Sequence, residues 1–443
     1  MNALFLRVAA TVFLIPLAAG ILHADDWPQW MGRERDAVWS EDGIIDKFPK
    51  DGPKVLWRAK IRGGYSGPAV ADGLVYVMDF DTDADTKKLS NPGKRPEIKG
   101  KERVLCLDAK DGQEVWKHEY ECEYAISYPA GPRCTPTVHH GKVYTLGAEG
   151  NLYCLDAKKG TVLWSKNFAK DYGAKTAVWG YASHPLVDGK RLICVVGGEG
   201  SLVVAFDKDT GKELWKTGTA SEQGYSPPTI ISAGGRRQLI IWDADKVASL
   251  DPEKGTVYWE QPLKPSYGMS IMAPRLSGDV LFAGGMGGMS KAWKLTEDGD
   301  KLAVEELWAG NAKLGIGPSN ATPFIEDETI YGFDAPGIMR AVDLKTGKRL
   351  WSSTAPLNVE RQQNHGTGFL VKQGGRFFLF TEAGDLVICK LNRNQYEEID
   401  RANLLPPTGD AFGRDVVWSH PAFANQCVYV RNDEGIVCFS LAK

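Results

Sequence analysis

Histidine, arginine and aromatic side chains lie in the connections that precede the recurring proline-containing segments of this chain, and these residues could bind a ligand. His184 and His420 each stand in a Ser-His-Pro triplet. An arginine beside aromatic rings suits an anionic planar ligand, because a guanidinium donates parallel hydrogen bonds and stacks on rings. In the alternative interpretation, the rings fill gaps between structural units and the arginines cap loop carbonyls. The predicted ligand-binding residues are Arg133, Trp179, Tyr181, His184, Tyr225, Asn320, His365, Arg414, Trp418 and His420.

Acidic residues recur in corresponding turns of the chain, where a ring of carboxylates could hold calcium through oxygen ligands. Acidic residues beside turn glycines are more often turn formers, and this is the interpretation we favour. His184 and His420 are predicted to lie on units that are not neighbours, and two histidines are too few for a zinc site. We therefore expect no metal site. The acidic residues at corresponding turns are Glu149, Glu199, Asp245 and Glu434.

The sequence lacks the short motifs of several enzyme classes. It has no glycine-rich phosphate loop, no Gly-x-Ser-x-Gly elbow and no His-Glu-x-x-His pair. None of its eight cysteines falls in a Cys-x-x-Cys or Cys-x-x-Cys-His spacing, which excludes a zinc knuckle and a covalently attached haem. Cys122 and Cys134 flank an irregular segment and could form a disulfide; the alternative is that both are buried thiols.

An internal repeat organises the chain and must position these residues. The spacing Asp-x3-Gly-x3-Trp occurs five times without slippage, and from Asp108 to Ser440 seven repeat intervals average about 47 residues. Each unit contains four short apolar runs separated by turn residues, which predicts four antiparallel strands, that is, one propeller blade. The five copies end at Trp116, Trp164, Trp215, Trp259 and Trp351.

Eight starts of an innermost strand can be counted, so the sequence predicts one all-β domain, an eight-bladed propeller over residues 54–443. The last unit stops after its third strand, whereas residues 54–60 carry an isolated fourth-strand signature. We therefore expect this N-terminal strand to complete the last blade and close the ring, which hides two exposed sheet edges. Residues 25–53 form an N-terminal extension, and residues 81–103 are predicted to be a mobile loop insertion in the first blade.

The amino terminus is typical of an export signal. One positive charge precedes an apolar run over residues 8–22, and we predict a signal peptide over residues 1–24. Cleavage after Gly20 is a rival site, and a membrane anchor is the alternative interpretation. No later stretch is apolar enough to span a membrane, so we expect a periplasmic or extracellular chain that is monomeric.

Composition narrows the partner classes. The 443 residues carry a formal charge of −3 and are 43% hydrophobic, which is typical of a globular protein. A net charge this close to zero lacks the excess of lysine and arginine that nucleic-acid-binding proteins carry. No nucleic-acid partner is therefore expected.

The repeat resembles the tryptophan-docking motif of the pyrroloquinoline quinone (PQQ) propellers. Segments 206–215 and 342–351 match its Asp-x-x-Thr-Gly-x-x-x-Trp core, and the resemblance covers nearly all of residues 55–441. It implies that the motif tryptophans pack between neighbouring blades. The family that the repeat resembles includes both quinoprotein dehydrogenases and the non-catalytic propellers of outer-membrane assembly. The resemblance therefore leaves the chemistry undecided.

Two functional hypotheses follow. The longest connections, 81–103, 117–133, 165–182, 352–367 and 399–418, all lie on one face of the predicted ring, and binding usually resides on elaborated loops. The first hypothesis is a binding scaffold for a protein, peptide or glycan at this face, with no cofactor. The alternative is a dehydrogenase of alcohols or sugars that uses PQQ and calcium, for which the resemblance suggests Asp415 as the base and Glu199 as a metal ligand.

Overall fold

The computed structural model describes residues 25–299 and 301–443 as a closed ring of eight four-stranded antiparallel sheets. The predicted fold class is therefore confirmed. The predicted signal peptide, residues 1–24, lies outside the described residues.

The first strand of the chain is Val55–Lys60 (β1), and the blades follow it in chain order. Within each blade the strands are lettered A to D from the channel outwards. Blade 1 contains β2–β5, at Ala69–Ala71, Leu74–Asp81, Glu97–Asp108 and Glu114–Ala125. Blade 2 contains β6–β9, at Thr137–His139, Lys142–Leu146, Asn151–Asp156 and Val162–Asn167. Blade 3 contains β10–β13, at Leu186–Asp188, Arg191–Gly198, Ser201–Asp207 and Glu213–Thr217. Blade 4 contains β14–β17, at Thr229–Ala233, Arg236–Trp242, Lys246–Leu250 and Val257–Pro262.

The second half of the ring repeats this pattern. Blade 5 contains β18–β21, at Arg275–Ser277, Val280–Gly285, Met289–Asp298 and Lys301–Ala309. Blade 6 contains β22–β25, at Phe324–Glu326, Thr329–Asp334, Ile338–Asp343 and Arg349–Ser353. Blade 7 contains β26–β29, at Gly368–Gln373, Arg376–Thr381, Asp385–Leu391 and Tyr396–Asn403. A separate hairpin of β30 and β31 follows, at Gly409–Ala411 and Arg414–Val416, and blade 8 contains β32–β34, at Ala422–Ala424, Cys427–Arg431 and Gly435–Ser440.

The ring is closed by the N-terminal strand, as the sequence predicts. Strand β1 pairs antiparallel with β34, from Val55 opposite Phe439 to Lys60 opposite Gly435. Each end of the chain therefore covers a sheet edge that the other would leave exposed.

Neighbouring blades are joined by indole rings that lie on glycines. A Cβ added to Gly112, Gly160 or Gly211 would lie 2.5–2.7 Å from the tryptophan ring of the preceding blade, and all three glycines have positive φ. Only glycine allows both the left-handed backbone and this approach. In four of the blades the indole Nε1 also donates to the carbonyl that follows the motif aspartate: Trp57 to Ala109, Trp116 to Ala157, Trp164 to Lys208 and Trp308 to Leu344, at 2.7–3.1 Å.

Two motif tryptophans depart from this pattern because the next turn has lost the motif. Trp259 donates to Gln238 Oε1 within its own blade at 2.9 Å, since blade 5 has the long β20–β21 hairpin in place of the Asp-x3-Gly turn. Trp351 donates to the carbonyl of Asn392 at 2.8 Å. Trp215 still lies on Gly255, at 2.6 Å from a Cβ placed there.

The insertion in blade 1 is more regular than predicted. Residues 97–103 continue strand β4, because the equally long β5 pairs with it from Glu97 opposite Ala125 onwards. The connection is therefore confined to residues 82–96 and includes the helix Thr86–Leu89 (α1). Neither α1 nor Phe168–Tyr172 (α2), the α-helices of the described chain, is long and apolar enough to cross a membrane.

The suggested disulfide is wrong. All eight cysteines, which fall within the described residues, are buried thiols. Cys122 faces the cluster around Phe80 and Tyr124, whereas Cys134 packs in the core between blades 2 and 3, where its thiol donates to the carbonyl of Tyr181.

The N-terminal extension crosses the channel on the face that bears the short A–B turns. Its backbone pairs with Val70 in blade 1, with Val138 in blade 2 and with Lys372 in blade 7. Arg35 donates to the carbonyls of His184 and Pro185, and Arg275 donates to the carbonyls of Arg35 and Asp36. The extension therefore closes one end of the channel.

We expect the strand that closes the ring to contribute strongly to stability. Replacing Trp57 with alanine removes a buried indole and its bond to Ala109, and should lower the free energy of unfolding by about 3–5 kcal/mol. Leu56 on the same strand is 44% exposed, so Leu56→Ala should change the free energy of unfolding by less than about 0.5 kcal/mol. Denaturant unfolding of both variants tests this; equal losses would contradict the role of β1 as a clasp.

Candidate functional site

A cavity of about 940 Å³ opens on the face that carries the D–A connections, where the sequence predicts binding. Every D–A connection around the ring contributes to its wall. Eight of the ten predicted binding residues line it: Arg133, Trp179, His184, Tyr225, Asn320, His365, Trp418 and His420.

The floor of the cavity is Trp30, which belongs to the N-terminal extension. Its ring stacks on His184 at 4.8 Å between centroids and meets His420 edge-on at 5.9 Å. The two histidine rings are 6.4 Å apart. Blades 3 and 8 are not neighbours, as the sequence predicts, but the two imidazole rings meet across the channel, so the expectation that the two histidines lie apart is wrong.

Both floor histidines are held in the neutral form. Burial lowers the pKa of His420 to about 3, and burial together with the nearby Arg35 guanidinium holds the pKa of His184 well below its usual range. Nδ1 of His184 accepts the backbone N–H of Thr135 at 3.0 Å, which leaves its proton on Nε2. The floor therefore presents uncharged rings.

Arg133 is the arginine of the cavity wall, and its donors are committed to the protein. Its Nε donates to the carbonyl of Trp179 at 2.9 Å, and its Nη2 donates to the carbonyls of Ser127 and Tyr128 at 2.8 and 2.6 Å. Its Nη1 donates to the carbonyl of Gly131. This is the carbonyl-capping role that the alternative interpretation of the sequence describes, and it ties two adjacent D–A connections together.

Polar groups at and behind the neighbouring part of the wall, around Trp418, are also paired with one another. Glu382, which is 4% exposed, accepts two hydrogen bonds from Arg414, at 3.0 and 3.1 Å, and one from Trp418 Nε1 at 2.9 Å. On another part of the wall, the hydroxyl of Tyr225 donates to Glu222 at 3.0 Å. The charge of Glu382 is therefore paired with Arg414, whereas Glu222 accepts a hydrogen bond from a neutral hydroxyl.

Aromatic side chains at the rim sit on strained backbone. Tyr267 is 77% exposed with φ of 59°, and Phe412 is 43% exposed with φ of 54°. Phe412 stacks on His365 at 4.9 Å, and His365 also has a positive φ, of 58°. The left-handed region costs a residue with a side chain about 1–2 kcal/mol, and such strain is concentrated at functional sites.

Two of the predicted binding residues, Tyr181 and Arg414, and the suggested base and metal ligand, Asp415 and Glu199, do not line the cavity. Tyr181 is buried, with its hydroxyl donating to the carbonyl of Val196 at 2.9 Å. Arg414 lies behind the wall against Glu382. Asp415 forms an exposed ion pair with Lys87 at 2.7 Å, and Glu199 is exposed in a turn.

The lining residues do not fit a bound PQQ and calcium ion. PQQ carries three carboxylates, but the cavity offers one arginine, Arg133, with four of its N–H groups already used, and histidines that are held neutral. Among the described residues, no group of three or more histidine, cysteine, aspartate or glutamate side chains could hold a metal ion. Glu222 is the carboxylate of the wall, and it accepts the Tyr225 hydroxyl.

Sequence reasoning missed the residues that reach the cavity from outside the repeat. Trp30 lies in an extension without strand periodicity, and Tyr267 lies in a short 3-10 turn, Ser266–Gly268. Clustered tryptophans in a polar extension were the available signal for a buried role. The lining residues that the sequence analysis did not name include Trp30, Tyr65, Tyr128, Glu222, Tyr267, Met269, Met286 and Phe412.

The neutral floor histidines should make the protein sensitive to mild acid. A folded-state pKa below the unfolded value of about 6.5 leaves stability intact above pH 6.5 and reduces it as the pH falls, because the unfolded chain binds the proton first. Between pH 7 and pH 5 we expect the neutral, buried His420 to lower the free energy of unfolding by about 1–2 kcal/mol. His420→Gln should lose less stability than the wild type between pH 7 and pH 5.

Unfolding curves at the two pH values provide the measurement. His140→Gln, at an exposed turn on the opposite face, should keep the wild-type dependence. An unchanged pH dependence in His420→Gln would contradict the assignment of a neutral, buried imidazole.

Comparison with known proteins places this geometry in a family. The family model described as outer membrane protein assembly factor BamB matches residues 100–353 and 305–443. Quinohemoprotein alcohol dehydrogenase ADH-IIG of Pseudomonas putida is 27% identical over 223 residues, which are 48% of this chain. The chain spans only 28% of the length of that relative.

Two solved structures share the fold at low identity. BamB from Moraxella catarrhalis has a TM-score of 0.55 at 14% identity, with 86% of this chain and 96% of that chain covered. Quinohemoprotein alcohol dehydrogenase ADHIIG from Pseudomonas putida HK5 also has a TM-score of 0.55, at 13% identity, with 94% and 80% covered. The family model spans most of the described propeller, and the chain therefore belongs to the propeller family described as outer membrane protein assembly factor BamB.

Proposed function

We propose that this protein is an exported, non-catalytic binding protein that takes an apolar or aromatic segment of a peptide or protein into the cavity of its loop-bearing face. The observation that carries this proposal is the cavity itself. It is large enough for several side chains, its walls are rich in aromatic rings, and its charged side chains, Arg133 and Glu222, are hydrogen-bonded to the protein.

The rim and the walls suit a ligand that varies in sequence. Tyr267 and Phe412 stand exposed at the mouth, where aromatic rings supply much contact area at a low cost in side-chain entropy. Met269 and Met286 also line the cavity, and methionine adapts its shape to different apolar partners. The floor of Trp30 excludes a ligand that threads through the channel.

Two further observations support a protein partner and export. The family description names an assembly factor for outer membrane proteins, which favours a polypeptide ligand over a glycan. The predicted signal over residues 1–24 is consistent with a function outside the cytoplasm.

A dehydrogenase that uses PQQ and calcium is the second candidate. The observation in its favour is the 27% identity with part of a quinohemoprotein alcohol dehydrogenase. Against it stand the lining residues, since the arginine of the wall is bound to carbonyls and Asp415 pairs with Lys87 outside the cavity. The binding function accounts for the wall without requiring any of these side chains to change partner.

Replacement of the two rim aromatics should weaken binding without unfolding the ring. The purified mature chain is applied to arrays of unfolded-protein peptides and of glycans. We expect wild-type binding to peptides rich in aromatic and aliphatic residues, and at least about a tenfold loss in the Tyr267→Ala/Phe412→Ala double variant, since each exposed ring contributes apolar contact area.

The matched control replaces two apolar residues of comparable exposure on the outer strands. Val115 and Leu163 are 49% and 46% exposed, and their alanine variants should bind as the wild type does. Binding to glycans alone would replace the peptide ligand by a carbohydrate. Peptide binding that survives in the rim variant but fails in the outer-strand variant would move the site away from the cavity.

A further inference from the structure

Glu41, in the N-terminal extension, is a buried carboxylate with only neutral partners. It is 7% exposed. Its Oε2 accepts Trp39 Nε1 at 3.0 Å and the backbone N–H of Gln426 at 2.5 Å, and its Oε1 accepts the backbone N–H groups of Asn425 at 2.9 Å and of Asp25 at 2.7 Å. Within residues 25–299 and 301–443, no lysine, arginine or histidine forms an ion pair with it. A buried carboxylate is costly unless a cation accompanies it.

The nitrogen of Asp25 is the partner that can become a cation. It is an amide as long as residue 24 is attached to it. Hydrolysis of the Ala24–Asp25 peptide bond by a signal peptidase adds one water, which leaves a carboxylate on Ala24 and a primary amine on Asp25. An α-amine has a pKa of about 7.7–8.0, so it takes up a proton at neutral pH. The same nitrogen, 2.7 Å from Glu41 Oε1, is then an ammonium in an ion pair.

We propose that the mature chain begins at Asp25 and that its α-ammonium is the counter-ion of Glu41. The ion pair joins residues 25 and 41 and closes a chain loop that contains Trp30, the floor of the cavity. Through Asn425 and Gln426, Glu41 also fastens this loop to the A–B turn of blade 8. Removal of the signal peptide therefore locks the floor in place.

The ion pair requires cleavage after Ala24, and the rival cleavage after Gly20 would prevent it. Cleavage after Gly20 would leave residues 21–24 on the chain and the Asp25 nitrogen as a neutral amide. The side chain of Asp25 does not compete for the ammonium's place, since its carboxylate faces Arg33 at 4.0 Å. The inference rests on export, which is part of the proposed function, but not on any ligand in the cavity.

The first test is the intact mass of the chain after export from a bacterial host. We expect the mass of residues 25–443. A chain that is exported but begins at residue 21, or at any residue other than 25, overturns the inference and leaves the proposed binding function standing. A full-length chain retained in the cytoplasm contradicts export itself.

The second test compares thermal unfolding of that chain with a variant in which Gly-Ser is inserted between Ala24 and Asp25, so that the mature protein carries two extra residues. We expect the extended chain to unfold about 1–2 °C lower. In a Glu41→Gln background the insertion should have no effect. Asp46→Asn is the matched control, because Asp46 is an exposed carboxylate of the same extension, and it should leave the effect of the insertion unchanged.

Native-state acetylation of the α-amine gives a readout that does not depend on the folding of Glu41→Gln. We expect the α-amine of the wild type to react at least about tenfold more slowly than after unfolding, because it is paired and partly buried. An α-amine that reacts at the unfolded rate overturns the ion pair. So does an insertion effect that persists in the Glu41→Gln background.

Discussion

The contact between an indole ring and a glycine of the next blade is the constraint on which the rest of this structure depends. The glycine must lack a Cβ and must take a positive φ, and the indole must lie flat against it. These demands fix the spacing of the repeat and the position of each blade relative to its neighbour. Five junctions between blades have this contact, and the junction made by Trp57 of β1 is one of them, so the strand that closes the ring uses the same contact as the strands within the repeat.

Closure of the ring creates a central channel, and the two ends of the channel are treated differently. The end with short A–B turns is covered by the N-terminal extension, with the half-buried Arg35 and Arg275 bound to carbonyls and Trp30 facing the interior. The other end keeps its long connections and remains open as an aromatic cavity. A channel that Trp30 closes at one end, with aromatic and methionine side chains in the wall of the open end, is suited to binding one end or one segment of a polypeptide.

The fold could be predicted from the sequence because its determinants are local and repeated. Five of the eight blades carry the complete Asp-x3-Gly-x3-Trp motif, and these copies identify the repeat even though the other blades have lost parts of it. The candidate site was predictable only where it belongs to the repeat, as with His184 and His420 at the starts of strand A. Trp30 was missed because its contacts join an aperiodic extension to distant blades, and the approach of His184 to His420 was missed because strand order does not show distance across a channel. Arg133 shows a different limit: its position was predicted, but its bonds to loop carbonyls depend on backbone geometry that the sequence does not reveal.

We propose that this cavity is built for an apolar ligand and not for a charged quinone. The most direct measurement is calorimetric titration of the purified mature chain with PQQ, with and without calcium. We expect no calcium-dependent heat and no change in thermal stability. Binding of PQQ at micromolar concentration or tighter that requires calcium would contradict it, and would assign the cavity to a quinoprotein dehydrogenase.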